Sequence, residues 1–272
     1  MLRAYIKDII TSVQNEKVKD TVVRRQRKNP DHMDTVFVEG KRATVTALTS
    51  SALPQRVFVT SDFLDNTGNL TTVRELSKRG AEIYEVTVPV MNKLSDTESP
   101  QGIASVFKIS QERNLFNIVP AVDSVFIVLD GVKEPGNVGT IIRTAEGFGV
   151  SGVIVLPGTA DPFSSKAVRA AAGCVFNINV YKTNMDEFLK WISNTSLKLI
   201  TTVVRGGVPL FEAALTPPLA LVLGQEAEGV STTLLDKSTV MAMIPLPGKA
   251  ESINVSISAA ICLYEMVRQK TL

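Results

Sequence analysis

The chain has 272 residues, of which 44% are hydrophobic and 21% are charged, and its formal net charge is +2. This length accommodates one or two domains with buried cores, and the composition favours a folded chain over a disordered one. The longest apolar runs, such as 124–129 and 219–223, are far shorter than the roughly 20 residues that span a bilayer, and early charges exclude a secretory signal, so we expect a cytoplasmic protein without membrane segments.

The first part of the chain alternates between expected helices and strands. A helix is expected over residues 3–29, where apolar side chains recur at helical spacing before Asn29-Pro30 ends the segment. Strands are then expected at 35–39, 56–60, 82–86 and 102–108, and helices at 40–48, 73–78 and 90–94. This alternation is typical of a small α/β domain, and residues 112–123 are the expected linker.

A second alternating series follows residue 114. Strands are expected at 124–130, 153–156, 179–181, 198–203, 220–223 and 241–244, and helices at 136–148, 165–172, 185–193 and 254–269. The strands are short and rich in Val, Ile and Leu, which is typical of a parallel sheet covered by helices on both faces.

A basic cluster lies between residues 17 and 28, where the only acid is Asp20. Its six members are Lys17, Lys19, Arg24, Arg25, Arg27 and Lys28. Such a cluster can neutralise phosphates of a nucleic acid. A solvated helix face explains the same pattern equally well, so the sequence leaves both interpretations open.

Cysteine and histidine are too scarce for several kinds of site. The chain has two cysteines, Cys174 and Cys262, and one histidine, His32. A disulfide framework and a zinc site are therefore not expected, and no metal is predicted. A nucleophile–histidine enzyme would depend on His32, which lies in a polar segment that is typical of a loop, and this chemistry is disfavoured.

Three loops each follow an expected strand of the second series. The first runs from Leu129 to Arg143 and contains glycines where a strand passes into a helix, an arrangement that suits an anionic ligand. The second is Gly224–Gly229, which contains two glutamates, and the third is 244–256, which contains prolines and ends in a helix that Ser252 or Asn254 could cap. Ligands bind at strand ends in such sheets, so together the loops predict a composite site.

Asn137 and Arg143 of the first loop are separated by six residues, or about 600° on an ideal helix, and therefore lie on different faces. Asn137 is expected to shape the loop or the helix cap. Arg143 follows Ile142 in an otherwise apolar helix, where composition favours a solvent-facing side chain over one held for a purpose.

Residues 147–152 match the pattern G-x-G-x-x-G, but the context does not fit a dinucleotide site. That site requires a strand, then the glycines, then a helix. Here an expected helix precedes the glycines and a strand follows them, so the segment is interpreted as a helix end and a turn.

Taken together, the three loops resemble the three motifs of the SpoU/TrmH family of RNA 2′-O-ribose methyltransferases. The first motif is matched by Asn137, Gly139 and Arg143. The second is matched by Gly224, Glu226 and Gly229, and the third by Ile244-Pro245 and 252–256. Two departures are Ile253, where the family usually has leucine, and Gln225, where asparagine or serine is common.

The resemblance implies roles for single residues. It implies S-adenosylmethionine as cofactor, bound by Gly224, Ile244 and Ile253 with Leu223 and Thr202 beside them. It implies that Arg143 is catalytic and that Asn137, Glu226, Ser252 and Asn254 order the pocket and position the hydroxyl. Because arginine keeps its proton in proteins, a role in holding phosphate and stabilising developing alkoxide charge is physically easier than general base action.

The N-terminal part resembles the substrate-binding domain that often precedes this catalytic domain, through segments 10–19, 37–40 and 99–103. The resemblance therefore implies an RNA-binding α/β domain over 1–112 and a methyltransferase domain over 113–272 with a deep trefoil knot. It also implies a homodimer that modifies structured RNA, with ribosomal RNA favoured. The RNA-binding residues expected in the first domain are Arg24, Arg25, Arg27, Lys28 and Lys41.

Three alternatives stay open. An RNA-binding protein of the same fold without turnover is suggested by the low net charge and by Ile253. Transfer RNA is a second possible substrate. Methyl transfer to a base nitrogen is the third, and the Asn137–Arg143 motif argues against it.

Overall fold

The structure is a computed structural model that describes residues 2–27, 33–109 and 114–271. Lys28 and His32 lie outside the described residues. The chain divides into two compact units, one formed by Met1–Gln111 with Pro162–Asn177 and the other by Glu112–Asp161 with Ile178–Leu272. The division into an RNA-binding domain over 1–112 and a methyltransferase domain over 113–272 stays a prediction.

The helices and strands follow one another in regular alternation. The strands are β1 Ile6–Ile10, β2 Thr35–Glu39, β3 Leu53–Val59, β4 Glu82–Val86, β5 Ile103–Lys108, β6 Val125–Asp130, β7 Gly152–Val155, β8 Val180–Lys182, β9 Lys198–Val203, β10 Val208–Pro209, β11 Leu219–Gly224 and β12 Val240–Met243. The α-helices are α1 Glu16–Gln26, α2 Lys41–Leu48, α3 Ser61–Asp65, α4 Leu70–Lys78, α5 Val88–Leu94, α6 Pro135–Gly147, α7 Ser165–Ala170, α8 Met185–Ser193, α9 Thr232–Leu235 and α10 Val255–Thr271.

The first unit is built on a five-stranded mixed sheet in the order β1-β4-β3-β5-β2. β4 lies parallel to both β1 and β3, whereas β5 is antiparallel to β3 and β2. The core beside this sheet contains Phe37, Phe58 and Tyr84, and the last two rings stack with centroids 5.9 Å apart. Helix α7 is part of this unit and packs on β2.

The expected helix over 3–29 is wrong in its first part, because Ile6–Ile10 forms β1. Ile6, Ile9 and Ile10 have spacing that suits a helix, but their backbone pairs with β4, which is remote in sequence. Helix α1 begins only at Glu16, where the Asn15 side chain accepts a hydrogen bond from the Lys17 N–H. The cap therefore sets the helix start, and the distant strand sets the conformation before it.

The second unit is built on a seven-stranded sheet in the order β10-β12-β9-β11-β6-β7-β8, with every described pair parallel. This confirms the expected parallel α/β fold. Strands β6 and β11 are buried along their whole length, and Phe126 packs edge-on against Trp191 with ring centroids 5.5 Å apart. The trefoil knot stays a prediction.

The parallel sheet places the carboxyl ends of β6 and β11 side by side, since Gly224 is in register with Asp130. Strands β9 and β12 continue the same edge, with Val203 opposite Met243. The three loops identified in the sequence leave the sheet after β6, β11 and β12, and so they emerge at one edge.

The glycine pattern at 147–152 ends a helix, as expected. Helix α6 stops at Gly147, Gly149 adopts a φ of +69°, and the Val150 N–H bonds the Ala145 carbonyl at 2.9 Å. This is the hydrogen-bonding pattern of a helix C-terminus. Among the helices in the described ranges, none has the length and apolar character needed to cross a membrane.

Candidate active site

The first loop is held by its own caps. Gly131 turns the chain after β6 with a φ of +74°, and the Glu134 side chain accepts a hydrogen bond from the Gly136 N–H at 3.1 Å. Pro135 occupies the first turn of α6, where its missing N–H has no cost. Glu134 is thus the cap of α6, and Asn137, expected to shape the loop or the cap, lies within the first turn with its side chain directed to the other two loops.

The second loop is a tight turn fixed by backbone contacts. Gln225 and Gly229 exchange two N–H to carbonyl hydrogen bonds, both of 3.1 Å. A Cβ on the buried Gly224 would lie 2.2 Å from the Gly229 carbonyl carbon and the Val230 nitrogen, so only glycine fits there. The Ser231 N–H donates to Asp130 Oδ2 at 2.7 Å, which fastens the end of this loop to β6.

The third loop ends at Asn254, which caps α10. Its Oδ1 accepts hydrogen bonds from the Ser256 N–H at 2.8 Å and the Ser256 hydroxyl at 2.6 Å. Ser252, the other residue expected as a possible cap, is exposed and lines the neighbouring cleft.

A chain of side-chain hydrogen bonds connects the three loops. Asn254 Nδ2 donates to Asn137 Oδ1 at 3.0 Å, and Asn137 Nδ2 donates to Glu226 Oε1 at 2.7 Å. The direction of this chain is fixed because the Asn254 oxygen is already used by the helix cap, which leaves its amide to donate. Asn137 must then accept with its oxygen and donate to the carboxylate.

A cleft of about 270 Å³ lies among these loops and the end of β9. It is lined by Thr202, Val203, Val204, Gly224, Gln225, Glu226, Gly229, Ala242, Ile244, Leu246, Glu251, Ser252, Ile253, Asn254, Val255 and Ser258. Four of the five expected cofactor residues are among them, and the fifth, Leu223, is fully buried in β11 next to Gly224. The Thr202 hydroxyl is occupied by a hydrogen bond to the Val222 carbonyl at 3.0 Å.

Sequence reasoning missed several of the lining residues, namely Val203, Val204, Leu246, Val255 and Ser258. Val203 and Val204 lie at and just after the end of β9, and Leu246 lies in the third loop. Val255 and Ser258 lie in the first turn of α10. The side chains of Val203, Val204, Leu246 and Val255 are apolar and gave no chemical signal of their own. The hydroxyl of Ser258 lies beyond the third motif.

The structure does not bring all of the expected catalytic residues to the cleft. Glu226, Ser252 and Asn254 line the cleft, and Asn137 reaches two of its residues by hydrogen bonds. Arg143 is an exposed residue of α6 and is not a lining residue. Within the described residues its side chain makes no hydrogen bond or ion pair, so its charge is available to a bound molecule.

The arginines of the basic cluster are engaged inside the first unit. Arg25 donates to the carbonyls of Leu94 and Ser95 at 2.6 and 2.7 Å, and Arg27 donates to the carbonyls of Thr35 and Met33. These bonds give both side chains a structural role, and their expected role in RNA binding stays a prediction.

Two other members of the expected RNA-binding set have a protein partner. Burial raises the pKa of Asp20, but hydrogen bonds from Arg24 and Arg56 outweigh it and leave that pKa below its ordinary value. Arg24 is therefore paired with a stable anion. Lys41 Nζ donates to the Gly68 carbonyl at 3.0 Å in an exposed position. Lys28 is outside the described residues.

Neither cysteine offers a nucleophile in the cleft. Burial in α10 raises the pKa of Cys262 to about 12, which keeps the thiol protonated. Cys174 belongs to the first unit.

Comparison with known proteins identifies both parts of the chain. Residues 124–264 match the SpoU rRNA Methylase family, and residues 15–105 match an MRM3-like substrate binding domain. The 23S rRNA (guanosine(2553)-2'-O)-methyltransferase RlmP of Bacillus subtilis is 31% identical over 94% of this chain and 98% of its own length. The 23S rRNA (guanosine-2'-O-)-methyltransferase RlmB of Escherichia coli K12 is 28% identical over 74% of this chain and 85% of its own.

Solved structures agree with these matches. The crystal structure of an AdoMet-bound rRNA methyltransferase from Sinorhizobium meliloti has a TM-score of 0.86 and 30% identity, and the match covers 97% of this chain and 98% of that one. The SpoU methyltransferase AviRb from Streptomyces viridochromogenes, in complex with AdoMet, shares the fold with a TM-score of 0.83 at 24% identity.

Replacing Gly224 by alanine is expected to reduce affinity for S-adenosylmethionine by about tenfold or more, because the new methyl group would displace the backbone at 229–230. A tenfold loss of affinity corresponds to about 1.4 kcal/mol of binding free energy. Titration calorimetry measures the effect. Gly248→Ala is the matched control, since a Cβ there meets nothing within 4 Å. Equal affinities of the two variants would contradict the expected role of Gly224 in cofactor binding.

Replacing Asn137 by aspartate is expected to slow methyl transfer about tenfold or more, because it places a carboxylate against Glu226 in place of a hydrogen bond to a charged group. The double variant Asn137→Asp with Glu226→Gln restores a donor facing an acceptor and should recover part of the rate. A double-mutant cycle with the Glu226→Gln single variant measures the coupling. Additive effects of the two substitutions would show that this contact does not order the site.

Proposed function

The chain belongs to the SpoU rRNA methylase family, and we propose that it transfers a methyl group from S-adenosylmethionine to a ribose 2′-hydroxyl of ribosomal RNA. The observation that carries the proposal is the hydrogen-bond chain Glu226–Asn137–Asn254, which joins the three motif loops around one cleft. Two relatives with related sequences over most of this chain are named as 23S rRNA guanosine 2′-O-methyltransferases.

The residues of the cleft suit S-adenosylmethionine. Ala242, Ile244, Leu246 and Ile253 provide an apolar lining, and the loop backbone offers N–H and C=O groups for the polar edge of an adenine. When bound there, the cofactor supplies an electrophilic methyl group. The contribution of the loops is to hold its position and to exclude water from it.

The carboxylate of Glu226 is suited to position the ribose hydroxyl. One oxygen accepts from Asn137 at 2.7 Å, and in the described part of the chain the other has no hydrogen-bond partner. That free oxygen can accept a hydrogen bond from the substrate hydroxyl, and the exposed Ser252 lies in the same cleft. Asn254 holds Asn137, and through it Glu226, in the required orientation.

Arg143 is the group best suited to the negative charge that develops as the hydroxyl loses its proton. A guanidinium stays protonated in proteins, so its role is to hold a substrate phosphate and to stabilise the alkoxide, not to remove the proton. The proton passes along the hydrogen bond of the hydroxyl to the free carboxylate oxygen of Glu226. The exposure of Arg143 and its freedom from described partners support this role. The match to a substrate binding domain supports structured RNA as the target, and the names of the relatives support ribosomal RNA above transfer RNA. The cytoplasm is the location that we propose for the reaction.

Replacing Arg143 by alanine is expected to abolish methyl transfer and to leave affinity for S-adenosylmethionine nearly unchanged. The test incubates the protein with labelled cofactor and ribosomal RNA from cells that lack the gene, followed by nuclease digestion and mass analysis to locate the methyl group. The matched control is Lys237→Ala, which removes an exposed cation of the same unit outside the cleft. Near-normal turnover of Arg143→Ala would remove this residue from catalysis, and label on bases or none at all would refute the proposed reaction.

The proposed assembly is a homodimer with the active site near its interface. Helix α10 buries Ala259, Cys262, Leu263 and Met266 inside its own unit. Its opposite face exposes Ile257 by 52%, Ile261 by 37% and Tyr264 by 62%. A stripe of large apolar side chains at helical spacing is typical of an interaction surface, and a second copy of the chain is the partner that the family resemblance implies.

The double variant Ile257→Glu with Tyr264→Glu is expected to be a monomer, because carboxylates in the centre of a desolvated interface are strongly unfavourable. Sedimentation equilibrium measures the mass of the wild-type protein and of the variant. Val119→Glu is the control, since that side chain is 92% exposed and lies outside α10. A monomeric wild-type protein would refute the dimer, and an unchanged dimer of the double variant would place its interface elsewhere.

A further inference from the structure

The first unit contains a second cavity, of about 210 Å³, that the proposed reaction does not use. Its polar lining comes from three segments that are remote in sequence: Glu39 and Arg42 around the start of α2, the loop before β5, and Arg169 of α7. The loop contributes Thr97, Ser99 and Gln101. All of these residues belong to the same compact unit.

The only carboxylate in this lining, Glu39, is already saturated. It is 8% exposed, and its two oxygens accept hydrogen bonds from the hydroxyls of Ser95 and Thr97, from the Asp96 N–H at 3.3 Å and from Arg169 at 3.4 Å. Four protein donors use the lone pairs that a carboxylate offers. Glu39 therefore holds the walls together and presents no acceptor to a ligand.

The groups that stay free are donors. Arg42 is exposed, and neither its guanidinium nor the Ser99 hydroxyl has a partner in the described part of the chain. The Gln101 oxygen accepts from the Lys41 N–H at 3.2 Å, which leaves its amide N–H groups to donate. A cavity that offers a guanidinium, a hydroxyl and an amide as donors selects an anion with several oxygen atoms.

The frame of the cavity carries backbone strain. Ala172, a lining residue, adopts a φ of +49°, which is unfavourable for any residue with a side chain. A Cβ on the neighbouring Gly173 would lie 2.8 Å from the Ala43 carbonyl oxygen, so the turn after α7 is pressed against α2. Strain that the surrounding structure maintains is found at binding sites, and it indicates a preformed site.

We propose that this cavity binds a phosphodiester of the RNA substrate, with Arg42 as its principal contact and Ser99 and Gln101 as further donors. The inference rests on the proposed function, because it takes the anion to be part of the RNA that the enzyme modifies. Arg42 is thereby a binding residue of the substrate domain, outside the basic cluster at 17–28.

The test measures binding of a 23S rRNA transcript by the full-length chain at several salt concentrations. Arg42→Ala is expected to weaken binding and to lower the slope of log Kd against log salt by about 0.7 to 0.9, the change for one lost phosphate contact. The single variant Ser99→Asp should weaken RNA binding more than Arg42→Ala does, because it adds an anion to the cavity. Arg42→Lys keeps the positive charge and should retain most of the salt slope. Arg74→Ala is the matched control, an exposed arginine of the same unit that does not line the cavity.

Cofactor affinity and the unfolding temperature of each variant should equal those of the wild-type protein, and in turnover the loss should fall on KM for RNA and not on kcat. Equal salt slopes for Arg42→Ala and Arg74→Ala would overturn the proposal. The proposal would also be overturned if inorganic phosphate bound in an Arg42-dependent way while the affinity for RNA did not depend on Arg42. Arg42-dependent RNA binding by a protein without methyl transfer would uphold this inference and refute the proposed function.

Discussion

The arrangement of the candidate active site depends on the hydrogen bond between Asn254 and Asn137. Asn254 must use its oxygen for the cap of α10, since the first N–H groups of a helix have no partner within it. That requirement fixes which end of the Asn254 amide faces Asn137, and thereby which end of Asn137 faces Glu226. The need to cap α10 thus fixes the orientation of two side-chain amides and, through them, the donor that faces the Glu226 carboxylate. The directions of the hydrogen bonds in the site follow from that cap.

The parallel sheet makes this contact possible, because it brings three loops that are remote in sequence to one edge. Gly224 and Asp130 end neighbouring strands in register, and the two strand ends are joined again through the bond from Ser231 to Asp130. The close approach of Gly224 to residues 229 and 230 leaves no space for a side chain. The second loop therefore gains its shape from backbone packing, and a side chain such as that of Gln225 can differ from those usual in the family without altering the path of the chain.

Most strands and helices could be predicted from the sequence, because their apolar pattern and their caps are local. β2, β4, β9 and α8 were predicted to the residue. β1 was not, since its conformation depends on pairing with β4 and its isoleucines also fit a helix. The motif residues of the cleft could be predicted, whereas neighbours such as Leu246 could not. The hydrogen bonds that orient Asn137 depend on side-chain positions that no local pattern reveals. The place of 162–177 in the first unit likewise depends on tertiary packing.

Charge in a sequence does not distinguish an arginine that supports the fold from one that meets a ligand. Arg25 is largely buried and satisfies two backbone carbonyls, so its removal would leave polar groups unpaired at a cost of about 1–3 kcal/mol each. Arg42 lies outside the basic cluster, with Lys41 as its one charged neighbour in sequence. It borders a cavity whose carboxylate is used by protein donors, whereas Ser99 and Gln101 keep free donor groups. An arginine is therefore available to a ligand only when the protein does not already supply hydrogen-bond acceptors for its guanidinium. By that criterion Arg42 is better suited to contact RNA than Arg25 in the basic cluster.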